Sequence, residues 1–126
     1  MNSASQFAMV LVTTPDLKSA RKLVQICLKS RLVACANLFP GVESHYRWQQ
    51  KIETSSEVLI VFKTCRACLR KLEATISEHH PYEVPEFLVV PLQAGAAKYL
   101  AWLESECRPK ERDEACRRAL ASADSR

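Results

Sequence analysis

Two periodicities organise the apolar residues. Residues 7–12 are apolar without a break and stop at Thr13-Thr14-Pro15-Asp16, the pattern of a buried strand running into a helix start. Thr14 is placed to cap that helix and Pro15 suits its first turn. Ala20, Leu23, Val24, Cys27 and Leu28 then recur at helical spacing, with Lys18, Arg21, Lys22, Gln25 and Lys29 opposite them, so the helix is amphipathic with a basic outer face. A second apolar run, 33–39, is interrupted by Pro40-Gly41. Beyond it Val42, Ser44, Tyr46 and Trp48 alternate with Glu43, His45 and Arg47 at the strand period. Gln49-Gln50-Lys51 reads as a reversal, and residues 57–63 supply a third strand. The two strands make a long hairpin whose tip should overhang the domain, because strands of about ten residues reach roughly 33 Å at about 3.3 Å per residue.

Thr64 is positioned to cap a second helix, in which Cys65, Cys68, Leu69, Leu72 and Ile76 keep helical spacing until His79-His80-Pro81 ends it. Residues 87–92 form a fourth strand, and Ala96, Tyr99, Leu100, Leu103 and Cys107 mark a third helix. The order strand, helix, strand, strand, helix, strand predicts an α+β domain of the ferredoxin-like, split βαβ type, with helical additions at its C-terminus. Helices cover one face of such a sheet. The apolar residues that point to the other face require a second cover, and oligomerisation supplies it most simply. The expected divisions are a flexible start (1–6), the domain (7–107) and a charged tail (108–126) with the spacing of a short helix.

Composition narrows the function. The chain has 126 residues, 48% hydrophobic and 25% charged, enough for one globular domain. Gly41 and Gly95 are its two glycines, so no glycine-rich phosphate loop can be written. A formal charge of +4 without a basic stripe argues against nucleic acid as a partner. The tail carries six basic and four acidic residues, and so does not concentrate the charge. The short apolar run at 7–12 has no basic region before it and no run reaches the roughly 20 residues of a membrane span, so a cytoplasmic location is expected without membrane contact. The six cysteines are then expected reduced.

Several motifs carry a family resemblance: 31–37 (RLVACAN), Pro40-Gly41, Tyr46-Arg47-Trp48 with Lys51-Ile52, His80-Pro-Tyr-Glu-Val-Pro-Glu86, and Tyr99-Leu-Ala-Trp102. In this order they resemble the divalent-cation tolerance family, CutA, over about residues 7–106. The resemblance implies a ferredoxin-like subunit in a homotrimer whose hairpins pair across neighbours, tolerance of divalent metals and of copper above all, and no established reaction. It also implies a likeness to the nitrogen-regulatory signalling trimers. Two positions depart from the pattern. Gln50 stands where many members have a glycine, and Val12 stands where some have a cysteine proposed as a copper ligand.

His79, His80 and Glu86 form the strongest metal constellation, since imidazole and carboxylate suit copper or zinc, and Cu(II) or another divalent cation is the expected ion. Neighbouring side chains diverge, so one of the two histidines is the better ligand; the plainer reading has both ending a helix. Cys65-Arg-Ala-Cys68 opens a helix, the setting of a reactive thiol pair, yet both cysteines lie on the apolar face and no second pair completes a zinc site. Tyr46 and Trp48 read as interface anchors rather than as a stacking platform for single-stranded nucleic acid. Glu83 and Glu86 could act as an acid-base pair, but no nucleophile or organic-cofactor motif accompanies them, so no enzyme is expected. Two readings remain. One is a metal-binding trimer using His79, His80 and Glu86. The other is a signalling or scaffolding trimer whose inter-subunit clefts hold a small ligand or protein partner.

Overall fold

The computed structural model describes residues 1–107, so the charged tail lies outside the described residues. Its elements are the predicted strands and helices with two short strands, the first and the sixth, added: β1 (Asn2–Ser3), β2 (Phe7–Thr14), α1 (Leu17–Lys29), β3 (Cys35–Trp48), β4 (Lys51–Cys65), α2 (Leu69–His79), β5 (Leu88–Pro91), β6 (Ala94–Gly95) and α3 (Ala97–Glu106). Four strands form an antiparallel sheet in the order β3-β4-β2-β5, and β1 pairs with β6 in a second, two-stranded sheet. The start of the chain, expected to be flexible, therefore holds a short strand. The architecture is mixed α+β, and no helix among the described residues is long and apolar enough to cross a membrane.

Alternation along β2 and β4 divides the core. Val10 and Val12 of β2, with Val58, Ile60 and Phe62 of β4, point to one face. There they meet Leu23, Val24 and Cys27 of α1 and Leu72 and Ile76 of α2. The opposite face is covered only at one end, where Phe7 and Cys65, paired in the ladder, pack against Leu100 and Leu103 of α3. Gly95 permits this docking, because a β-carbon there would lie 3.1 Å from the Leu100 side chain. The rest of that face, Met9, Leu11, Leu59 and Val61, stays partly open, and Phe39 and Leu88 beside it are exposed. The expectation of an incompletely covered sheet holds for the single chain.

Both predicted caps shift. Asp16 rather than Thr14 caps α1, its carboxylate accepting from the Ser19 N–H at 2.7 Å, because only Asp16 stands directly before the first helical residue. Thr64 is drawn inward and donates to the Leu32 carbonyl at 2.6 Å, and a 3-10 turn (Arg66–Cys68) precedes α2. The hairpin is longer than predicted: β3 has 14 residues and β4 has 15. Pro40-Gly41 does not end the strand. The ladder passes from Phe39↔Leu59 to Val42↔Glu57, so two residues of β3 face one of β4 in a bulge, and Gly41 takes the positive φ of 72° that this requires. At the tip Gln49 and Gln50 both have positive φ, 49° and 68°, closing a two-residue turn between the paired Trp48 and Lys51.

Candidate functional site

A cleft of about 660 Å³ opens where the outer half of the hairpin leaves the sheet. Thr13 at the end of β2 and Glu57 of β4 form its floor, Tyr46 and Trp48 of β3 one wall, and Tyr82 and Glu86 from the segment after α2 the other. That segment begins at His80-Pro81, where the chain leaves the helix.

His80 fixes the segment. Its Nε2 donates to the Thr13 carbonyl at 2.8 Å, while its Nδ1 accepts the Tyr82 N–H at 2.9 Å, so both ring nitrogens are taken by backbone groups. The ring is buried and lies 4.9 Å from that of Tyr82. In this arrangement His80, expected as a candidate metal ligand, positions Tyr82. His79 points to solvent beside Glu78, 3.9 Å from its carboxylate, and does not line the cleft. Glu86 does line it. His79, His80 and Glu86 are thus not brought together as a group of three converging donors among the described residues.

Glu57, to which sequence reasoning gave no role, also lines the cleft. It is 8% exposed, and the Tyr82 hydroxyl donates to its Oε2 at 2.9 Å. Burial, followed by the acceptor Glu57, raises the Tyr82 hydroxyl well above the usual phenol range. Burial raises the Glu86 carboxyl from its ordinary 4.5, and the nearby negative charge of Glu57 adds to this. The cleft thus carries two carboxylates, Glu57 and Glu86, of which Glu86 holds its proton more readily than a free carboxyl. Glu83 also lines the cleft, and so do Ser44 and His45, which the alternation had placed without a role. Tyr46 and Trp48 remain 42% and 45% exposed, aromatic surface on the outer half of a strand whose inner half, at Ala36 and Leu38, packs against the core.

The Cys65-x-x-Cys68 pair has a third partner. Cys107, the C-cap of α3, brings its sulfur to the other two, so that all three lie within 4.8 Å of one another and all are buried. The sequence argument that no second pair completes a zinc site is not contradicted, but a single third cysteine, about forty positions on, joins where α3 docks. Cys68 and Cys107 are not acidified. Hydrogen bonding with Cys107 and Cys65, then burial, hold Cys68 far above the ordinary thiol range, and Cys107 is pushed up to about 11, chiefly by its hydrogen bond with Cys65. A low-pKa redox pair would require the opposite.

Residues 8–106 match the model of the CutA1 divalent ion tolerance protein. The chloroplastic protein CutA of Arabidopsis thaliana is 37% identical over 99 residues, which are 79% of this chain and 54% of that protein. The chain thus spans about half the length of this plant relative. The divalent-cation tolerance protein CutA of Escherichia coli K12 is 40% identical over 107 residues, 85% of this chain and 94% of that protein. Among solved structures, CutA1 from Oryza sativa superposes with a TM-score of 0.80 at 34% identity, covering 85% of this chain and 98% of that one. CutA1 from Pyrococcus horikoshii gives 0.78 at 40% identity, covering 80% and 98%. With the family model matched across both the sheet and the cleft, this chain belongs to the CutA1 divalent ion tolerance family.

Proposed function

We propose that this protein serves divalent-cation tolerance as a cytoplasmic, ferredoxin-like homotrimer that binds the cation, Cu(II) foremost, in the cleft between hairpin and sheet. The observation that carries the reading is the pair of carboxylates, Glu57 and Glu86, on one cleft with the Tyr82 hydroxyl between protein elements. A divalent ion offsets the burial, and after it the Glu57 charge, that raise the Glu86 carboxyl, and among such ions copper has the highest general affinity for nitrogen and oxygen donors. Of the histidine and glutamate set, Glu86 enters the site directly, His80 positions its wall, and His79 is tested as an outer ligand. The open sheet face and the exposed Tyr46, Trp48 and Ile52 of the hairpin support the trimer, which would cover them and close the cleft at a subunit boundary.

Equilibrium dialysis against Cu(II) tests this on the wild type and on the Glu86→Gln, Glu57→Gln and His79→Ala variants. Loss of bound copper in the two glutamate variants is expected, and unchanged stoichiometry in both removes the cleft as a cation site. A second reading has its own support. At about 660 Å³ and with three aromatic side chains on its walls, the cleft is larger than an ion needs and falls in the range of small-molecule sites. A signalling or scaffolding trimer would place a small organic ligand or a partner's side chain there, and glutamate variants that still bind copper at full stoichiometry would favour it.

A further inference from the structure

We propose that Cys65, Cys68 and Cys107 form a buried three-thiolate site for a soft monovalent ion, Cu(I), separate from the cleft and sharing no residue with it. Three elements build the site. Cys65 ends β4, Cys68 closes the 3-10 turn three residues later, and Cys107 follows α3. The turn is held in place by its own anchors: the Arg66 N–H donates to the Gln6 carbonyl and Arg66 Nε to the Ser5 carbonyl, each at 2.8 Å. Ala4, Phe7, Leu100 and Leu103 wall the sulfurs with apolar surface and exclude water.

The geometry matches a three-coordinate ion. An ion bonded to three sulfurs at about 2.3 Å in a plane places the sulfurs about 4.0 Å apart. All three here lie within 4.8 Å of one another, and Cys65 and Cys68, at 3.2 Å, have to open by about 0.8 Å, a small change in side-chain torsion. The donor set selects the ion. Thiolates alone suit Cu(I), whereas Zn(II) takes a fourth ligand, and no histidine, aspartate or glutamate joins the group among the described residues. The ion displaces the thiol protons, up to three of them, into solvent, and no electron is transferred because the metal arrives as Cu(I). The N-terminal end of α2, which begins at Leu69 directly after Cys68, lends partial positive charge to the thiolates.

The test uses the full chain, reduced and anaerobic, in a Cys35→Ser, Cys116→Ser background, titrated with Cu(I) against a chromogenic Cu(I) chelator. One Cu(I) per chain withdrawn from the chelator, with sulfur-to-copper absorbance in the near ultraviolet, is the expected result. Cys68→Ser and Cys107→Ser should each weaken binding at least on the order of 10- to 100-fold, the scale on which even outer partners of metal ligands act. Glu86→Gln should leave it unchanged, which separates this site from the cleft. Equal Cu(I) affinity in a folded Cys65→Ser, Cys68→Ser protein overturns the proposal, as does displacement of Cu(I) by equimolar Zn(II). X-ray absorption of the copper-loaded protein reads the site without the cysteine variants: about three sulfur neighbours support it, and nitrogen or oxygen neighbours overturn it.

Discussion

The Tyr82 hydroxyl donates to the Glu57 carboxylate at 2.9 Å, tying the segment after α2 to the long hairpin across the mouth of the cleft. Removing the donor leaves a buried carboxylate oxygen short of a partner, a loss of about 1–3 kcal/mol in general. Tyr82 is only half-buried, so water replaces part of the bond and Tyr82→Phe should cost about 1 kcal/mol. A double-mutant cycle with Glu57→Gln, read from urea midpoints, should return a coupling of that order. Strictly additive variants would mean that the bond does not hold the cleft together.

Acidity at Glu86 gives a pH dependence of defined sign. Because its folded pKa lies above the ordinary 4.5, the folded protein binds more protons than the unfolded chain in the window just above that value. Glu86 therefore favours folding below 4.5, and this contribution is lost as the pH rises through the folded value. Glu86→Gln should flatten the stability profile over that window. Cation binding at the cleft should displace the same proton, so calorimetry in buffers of different ionisation enthalpy should detect its release in the wild type and not in Glu86→Gln.

Val61 lies on the open sheet face, opposite Asn37 in the ladder and beside Leu11. If three copies bury this face, a charge there is intolerable at the interface yet harmless to the core on the other side. Light scattering of the wild type should give three times the 14.2 kDa chain mass, and Val61→Asp should shift it towards a single chain while helical circular dichroism is kept. A 14.2 kDa wild-type particle contradicts the trimer.

Thiol reactivity should follow burial. Burial holds Cys27 up to about 12, and Cys65, Cys68 and Cys107 are enclosed, whereas Cys35 is partly open. Brief alkylation at pH 7 followed by peptide mass spectrometry should label Cys35 ahead of Cys27, Cys65, Cys68 and Cys107. Early labelling of Cys65 and Cys68 would restore the reactive-pair reading that the raised Cys68 thiol speaks against.

The hairpin tip carries a conformational cost. Gln49 and Gln50 occupy the left-handed region, which disfavours residues with a β-carbon by about 1–2 kcal/mol each. Gln50→Gly removes one such cost and returns part of it through the freedom glycine gains when unfolded, for a net gain of about 0.5–1 kcal/mol per chain. A lower denaturation midpoint in this variant would show that the glutamines make contacts worth more than the strain.

How far the sequence carries this fold can be argued element by element. The apolar run at 7–12 and the helical spacing from Ala20 to Leu28 announced β2 and α1, because one buried face imposes one period. Capping was less legible: Thr14 and Asp16 are both competent, and Thr64 was claimed instead by the Leu32 carbonyl, a partner 32 residues away. Glu57 escaped notice because it opens an apolar run and its partner Tyr82 lies 25 residues on. Cys107 joined Cys65 and Cys68 only through the docking of α3, which no local spacing encodes. The histidine pair drew attention as metal chemistry, while the fold spends both nitrogens of His80 on backbone groups.

The surplus residue of the bulge at Pro40-Gly41 offsets β3 against β4 by one position. Odd-numbered Asn37 and Phe39 stand opposite Val61 and Leu59 before it, whereas even-numbered Ser44 and Tyr46 stand opposite Ser55 and Glu53 after it. Deleting Gly41 would let Pro40 stand opposite Val58 and make the ladder regular, with Ser44, Tyr46 and Trp48 still opposite Ser55, Glu53 and Lys51. What the arm would lose is the local bend and added twist that a bulge imparts, so the aromatic wall would be re-aimed without altering a single side chain in the arm itself.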